Sequence, residues 1–117
     1  MKVLLVNGSP RAAGCTNTAL EEVAKTLGEA GIETEIFWLG AKPVQDCVAC
    51  GKCRELKKCV FDDVVNTLIE KAKTADGFVF GSPVYYAHPS GRVQSALDRA
   101  FYAGKYAFAG KPGAAIV

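Results

Sequence analysis

The chain opens with an unbroken apolar run, Val3-Leu4-Leu5-Val6, closed by Asn7, Gly8 and Pro10. A short run of this kind with breakers directly after it predicts a strand buried on both faces. Apolar residues then recur at helical spacing at Leu20, Val23, Ala24, Leu27 and Ala30, while Glu21, Glu22, Lys25 and Glu29 take the wet face. This predicts a helix from near Thr16 or Asn17 to about Ala30, capped at its end by Gly31. Thr18 and Glu21 have capping-box spacing, with Thr16 and Asn17 as equal candidates for the cap. Glu33 to Leu39 reads as a second strand. Asp62 or Asp63 caps a second helix with Val64, Val65, Leu68, Ile69 and Ala72 on its buried stripe. Gly77 to Gly81 is a third strand, ended by Ser82-Pro83. Pro89-Ser90 open a third helix with Val93, Ala96, Leu97, Ala100 and Phe101 inward. After the turn Gly110–Gly113, Ala114 to Val117 begin a fourth strand.

The order β-α-β-α-β-α-β makes every crossover a helix. The strands are therefore expected to be parallel, in one doubly wound α/β domain over residues 1–117 with helices on both faces. Ligands of such sheets bind beyond the carboxyl ends of the strands. Two loops lie there, Asn7–Asn17 and Ser82–Ser90.

The first loop passes directly from strand to helix, so it gathers unpaired N–H groups and the positive end of a helix dipole. That combination attracts a phosphate. Ser9, Cys15, Thr16, Asn17 and Thr18 crowd the loop with small polar groups, and Arg11 adds a charge. It is not a triphosphate loop: five residues separate Gly8 from Gly14, and Cys15 stands where the lysine would be. Nor does it match G-x-G-x-x-G. A single phosphomonoester suits it better; the plainer alternative is an ordinary polar turn. In the second loop, Pro83 blocks the strand, and Tyr85 and Tyr86 offer faces for a flat ring. The alternative is that both tyrosines cover the core. His88 reads as a solvated loop residue.

Composition narrows the class. With 50% hydrophobic residues and a net charge of +2, the chain has material for one core and no charge argument for nucleic acid or a membrane surface. No apolar run approaches the ~20 residues of a membrane span. The five cysteines are odd in number and four are bunched. This points away from a secreted disulfide framework and toward a reducing, cytoplasmic setting. Cys47, Cys50, Cys53 and Cys59 read C-x2-C-x2-C-x5-C. Thiolates at this spacing can hold a [4Fe–4S] cluster, with Lys52, Lys57 and Lys58 offsetting their charge. Zinc and metal-free redox thiols remain open beside it. Cys15 reads as a small residue of the first loop.

Three stretches in this order, NGSPRAAGCTNTAL, the cysteine run ending in CVFDD, and ADGFVFGSPVYYAHPSGRVQSALDR, resemble the NAD(P)H-dependent FMN reductase family. The likeness is strongest to its cysteine-bearing branch, which includes the iron–sulfur flavoproteins. The resemblance implies a flavodoxin-like fold and FMN. Its phosphate would lie at Ser9, Arg11, Thr16, Asn17 and Thr18, and its ring at Pro83, Val84, Tyr85 and Tyr86. It implies hydride transfer from NAD(P)H to the flavin and on to an acceptor, a chemistry the flavin carries. The alternative is an electron carrier between protein partners. The family commonly dimerises with the flavin near the interface, so a homo-oligomer is expected. Relatives of this type continue into a further flavin-contacting loop, a helix and a fifth strand. Here the strand order 2-1-3-4 would leave the fifth strand missing. The expectation is therefore a fragment of a longer chain, or a sheet completed by another chain.

Overall fold

The computed structural model describes residues 1–117. Strands β1 (Lys2–Asn7), β2 (Glu33–Trp38), β3 (Gly77–Gly81) and β6 (Gly113–Ile116) form one sheet in the order β2-β1-β3-β6, every pair parallel. The two short strands β4 (Val84–Tyr85) and β5 (His88–Pro89) pair antiparallel outside it. The helices are α1 (Cys15–Glu29), α2 (Cys53–Leu56), α3 (Val64–Thr74) and α4 (Gly91–Phe108). The fold is the expected flavodoxin-like one.

Alternation along the central strands divides the interior. Leu4 and Val6 of β1 and Phe78 of β3 join α3 and α4 in a core of 15 buried residues. Leu5 and Val79, the residues between them, face the other way and meet Leu20 of α1 in a cluster of three. The α1 face is thinner: of the inward residues expected there, only Leu20 is fully buried and Ala30 is exposed. The helix ends as Gly31 predicts. At φ +78° this residue is left-handed, and the N–H groups of Gly31 and Ile32 return to the carbonyls of Gly28 and Leu27.

Three expectations change at the helices. First, α1 starts at Cys15 on an N-cap of Gly14, with no side-chain cap. The Thr18–Glu21 capping box does not form, because Thr18 lies inside the first turn. Its hydroxyl donates back to Gly14 O (3.3 Å), while Glu21 accepts from Asn17 Nδ2 (3.0 Å). Second, α4 is longer than its apolar spacing suggests and kinks at Gly104, where an added Cβ would lie 2.6 Å from Ile69 of α3. Third, Phe101 is half-exposed, because the buried stripe runs through Arg99, Ala100 and Ala103 instead. The other caps are as read. Asp63 accepts from Val65 N–H, and Ser90 accepts from Val93 N–H.

Candidate functional site

The loops after β1 and β3 meet at the carboxyl edge of the sheet and are stitched together. Gly8 N–H donates to Gly81 O (2.8 Å), and Ser90 Oγ donates to Gly8 O (2.9 Å). Ser90 N–H in turn donates to Ser82 Oγ (2.8 Å). Gly8 sits so close to α4 that an added Cβ would lie 1.8 Å from Val93 Cγ2. A side chain there would push the loops apart.

Asn7, which the sequence reading left unassigned, organises the first loop. It is fully buried. Its Oδ1 accepts from Ser9 N–H (2.9 Å) and its Nδ2 donates to Ala12 O (3.3 Å), with a longer contact to Asn17 Oδ1 (3.5 Å). An asparagine ending a strand and followed by Gly-Ser is an Asx-turn signal that could have found it. Ser9 is buried, and its Oγ accepts from Arg11 N–H (3.1 Å), leaving the hydroxyl proton to donate.

Thr18 is the first residue of α1 whose N–H finds a carbonyl, Gly14 O at 3.1 Å. The N–H groups of Cys15, Thr16 and Asn17 are therefore open at an uncapped helix start. Such a start is a cradle that attracts anions. Ser9, Thr16 and Asn17 line it, with Arg11 exposed beside it. Thr18 is the weakest member of the expected set, because its hydroxyl proton is committed to Gly14 O.

The second loop is a β-hairpin, which the sequence reading missed. Tyr86 and Ala87 form its two-residue tip at φ 47° and 64°. Paired left-handed residues make the type I′ turn whose usual signal is Asn-Gly, absent here. The tyrosines do not cover the core. Tyr86 is fully exposed, and Val84 and Tyr85 are about half-exposed. Two strained non-glycine residues displaying an aromatic at a ligand-binding edge fit a ring wall. The open donors and the exposed aromatic wall together suit FMN.

The cysteines form a second region. Cys47, Cys50, Cys53 and Cys59 all line one cleft of about 900 Å3, with Arg54, Lys57 and Lys105 at its margin. None is in a disulfide. Four thiols facing one basic cleft are a suitable donor set for a cluster. No three Cys, His, Asp or Glu side chains are gathered closely enough to hold a single metal ion. Cys15 lies apart, exposed at the start of α1.

Arg99, also unassigned from sequence, closes this region from below. Its guanidinium is buried against Asp63 in a two-pronged pair at 2.7 Å for both oxygens. Burial disfavours its charge. The bonds to Asp63 and Cys59 outweigh that and hold its pKa above the ordinary arginine value.

Residues 1–117 match the NADPH-dependent FMN reductase family. An iron–sulfur flavoprotein of Methanocaldococcus jannaschii is 39% identical over 99 residues, 85% of this chain and 51% of that protein. One from Methanosarcina thermophila is 31% identical over 118 residues, 99% of this chain and 62% of that protein. The chain thus spans half to three-fifths of the length of these relatives. Among solved structures, the flavoenzyme NAD(P)H:acceptor oxidoreductase of Paracoccus denitrificans superposes with a TM-score of 0.70 at 22% identity, over 98% of this chain and 59% of that one. That likeness establishes the shared fold. With its whole length matched, this chain belongs to the NADPH-dependent FMN reductase family.

Proposed function

We propose that this chain binds FMN at the two stitched loops and serves an NAD(P)H-dependent flavin oxidoreductase. The observation that carries the reading is an uncapped start of α1 and a strained, aromatic hairpin on the two stitched loops of a chain that its family matches over residues 1–117. FMN supplies hydride acceptance from the nicotinamide and delivery to an acceptor. The protein supplies placement. Open N–H groups of Cys15–Asn17, the Ser9 and Thr16 hydroxyls, the Asn17 amide and Arg11 hold the phosphate. Pro83, Val84, Tyr85 and Tyr86 position the ring and keep water off one face.

Titration of apoprotein with FMN and with riboflavin tests this. FMN binds more tightly, and Thr16→Ala and Asn17→Ala each weaken FMN by about 1–3 kcal/mol while leaving riboflavin nearly unchanged. Equal binding of the two flavins overturns the phosphate assignment. NADPH oxidation by the loaded protein then tests the hydride donor.

A second reading rests on the cleft. Cys47, Cys50, Cys53 and Cys59 hold a [4Fe–4S] cluster, and the protein relays electrons to a protein partner. The names of the archaeal relatives favour it. Iron and sulfide measured per chain after anaerobic reconstitution decide it. Stoichiometric zinc without iron counts against it. Both readings suit a cytoplasmic homo-oligomer, in keeping with five unpaired thiols.

A further inference from the structure

The cysteine stretch is held at both ends by one side chain. Arg99 is 1% exposed and all five of its N–H donors are used. Nη1 donates to Gln45 O (3.0 Å), two residues before Cys47. Nε donates to Cys59 Sγ (3.2 Å). Nη2 donates to Phe61 O (3.1 Å), and both terminal nitrogens grip Asp63. A single guanidinium therefore closes the loop that carries all four cysteines.

Within that loop the cysteines are not equivalent. Cys59 is fixed at its sulfur by Arg99 and at its backbone by Asn66, whose side chain accepts from Cys59 N–H and donates to Cys59 O, both at 2.9 Å. Cys47 and Cys50 lie on an arm without regular structure, left-handed at Ala49 and Gly51, that ends at Cys53, the first residue of α2. From Ala41 to Cys50 no backbone N–H reaches a backbone carbonyl.

We propose that Arg99 is the positioning residue of this site: it fixes Cys59 in place as a cluster ligand, and its Nε–H stays bonded to that sulfur when the cluster is held. This rests on the cluster reading above. A charged donor on a ligating sulfur favours the more negative, reduced cluster and so raises its potential. Lysine would keep the charge but not the fork that serves Cys59, Gln45 and Asp63 together.

The test uses the whole chain reconstituted anaerobically with iron and sulfide. The protein is labelled with 15N in arginine only and examined by pulsed electron paramagnetic resonance of the reduced cluster. The expected result is a magnetic coupling to one arginine nitrogen. In Arg99→Lys the coupling disappears and the cluster potential moves to lower values in a redox titration. In Asp63→Asn, which keeps the Nε donor and the helix cap, the coupling persists. A wild-type cluster without arginine coupling overturns the assignment of Arg99 and leaves the cluster reading standing. A reconstituted wild type that holds no cluster overturns both. The wild-type spectrum decides the matter even where Arg99→Lys does not fold.

Discussion

The two regions of this molecule are held by different means. The loops at the sheet edge are tied by short bonds among backbone groups and small buried side chains, Gly8 to Gly81, Ser90 to Gly8 and Ser82, Asn7 to Ser9. The cysteine arm is held by a guanidinium at its ends and by α2 in between, with no backbone–backbone bond from Ala41 to Cys50. Bonds distributed along a backbone fix every residue between them, so the first loop is set without a ligand. The clamp fixes the span, and of the thiols between its ends Cys53 is held by α2 and the core while Cys47 and Cys50 have no backbone bond of their own. Local openings concentrate where buried contacts and backbone bonds are few.

The largest effect expected is at the clamp. Arg99→Met strips Asp63 of its partner and costs about 3–5 kcal/mol, toward the lower end because the Asp63 side chain is one-third exposed. Urea unfolding measures it. A loss no greater than that of a surface pair would break the contrast between the regions. The next effect is at the stitched loops. Gly8→Ala forces a methyl into Val93 and costs about 1–3 kcal/mol, together with FMN affinity. Val93→Ala in the same chain recovers most of both, and a double-mutant cycle reads the coupling.

The hairpin sharpens the comparison from the opposite direction. Replacing Tyr86-Ala87 with Asn-Gly suits the left-handed tip and stabilises the protein by about 1 kcal/mol. Flavin binding falls as the ring wall is lost. A rise in melting temperature with unchanged FMN affinity would show that the strained tip serves no ligand.

The smallest effect is a control touching neither region. Lys71 bonds Glu35 at 2.6 Å, and this bond, aided by charge from Lys71 and Lys2 against partial burial, holds the Glu35 carboxyl below its ordinary value of 4.5. The stabilisation is therefore present above pH 4.5 and is lost as pH falls through the lowered value. Lys71→Met costs less than about 1 kcal/mol at neutral pH, and its difference from wild type fades in acid. A difference that grows in acid would contradict the sign.

The strands and three long helices were legible because apolar periodicity reports burial directly, while the strand order came with the family resemblance. The first loop and the aromatic wall were legible as composition, and the bunched cysteines as spacing. Arg99 was not. Its partners lie 36 to 54 positions away, and an arginine on a helix otherwise reads as solvated. The hairpin escaped because Tyr86-Ala87 lacks turn chemistry; the surrounding structure imposes the left-handed tip. The start of α1 was misplaced for a related reason. Thr18 looks like a cap, but the real N-cap is Gly14, and a glycine cap leaves no side-chain signature.

Trp38 gives the molecule an optical readout of its own. It is the sole tryptophan, it stands at the end of β2, and its indole Nε1 donates to Ser9 O at 2.8 Å. Indole emission changes colour and yield with the hydrogen bonding and wetness of the ring. It also overlaps flavin absorption, so a flavin seated nearby would quench it. The fluorescence of one native side chain thus records whether the Ser9 turn is intact and whether the cradle beside it is filled.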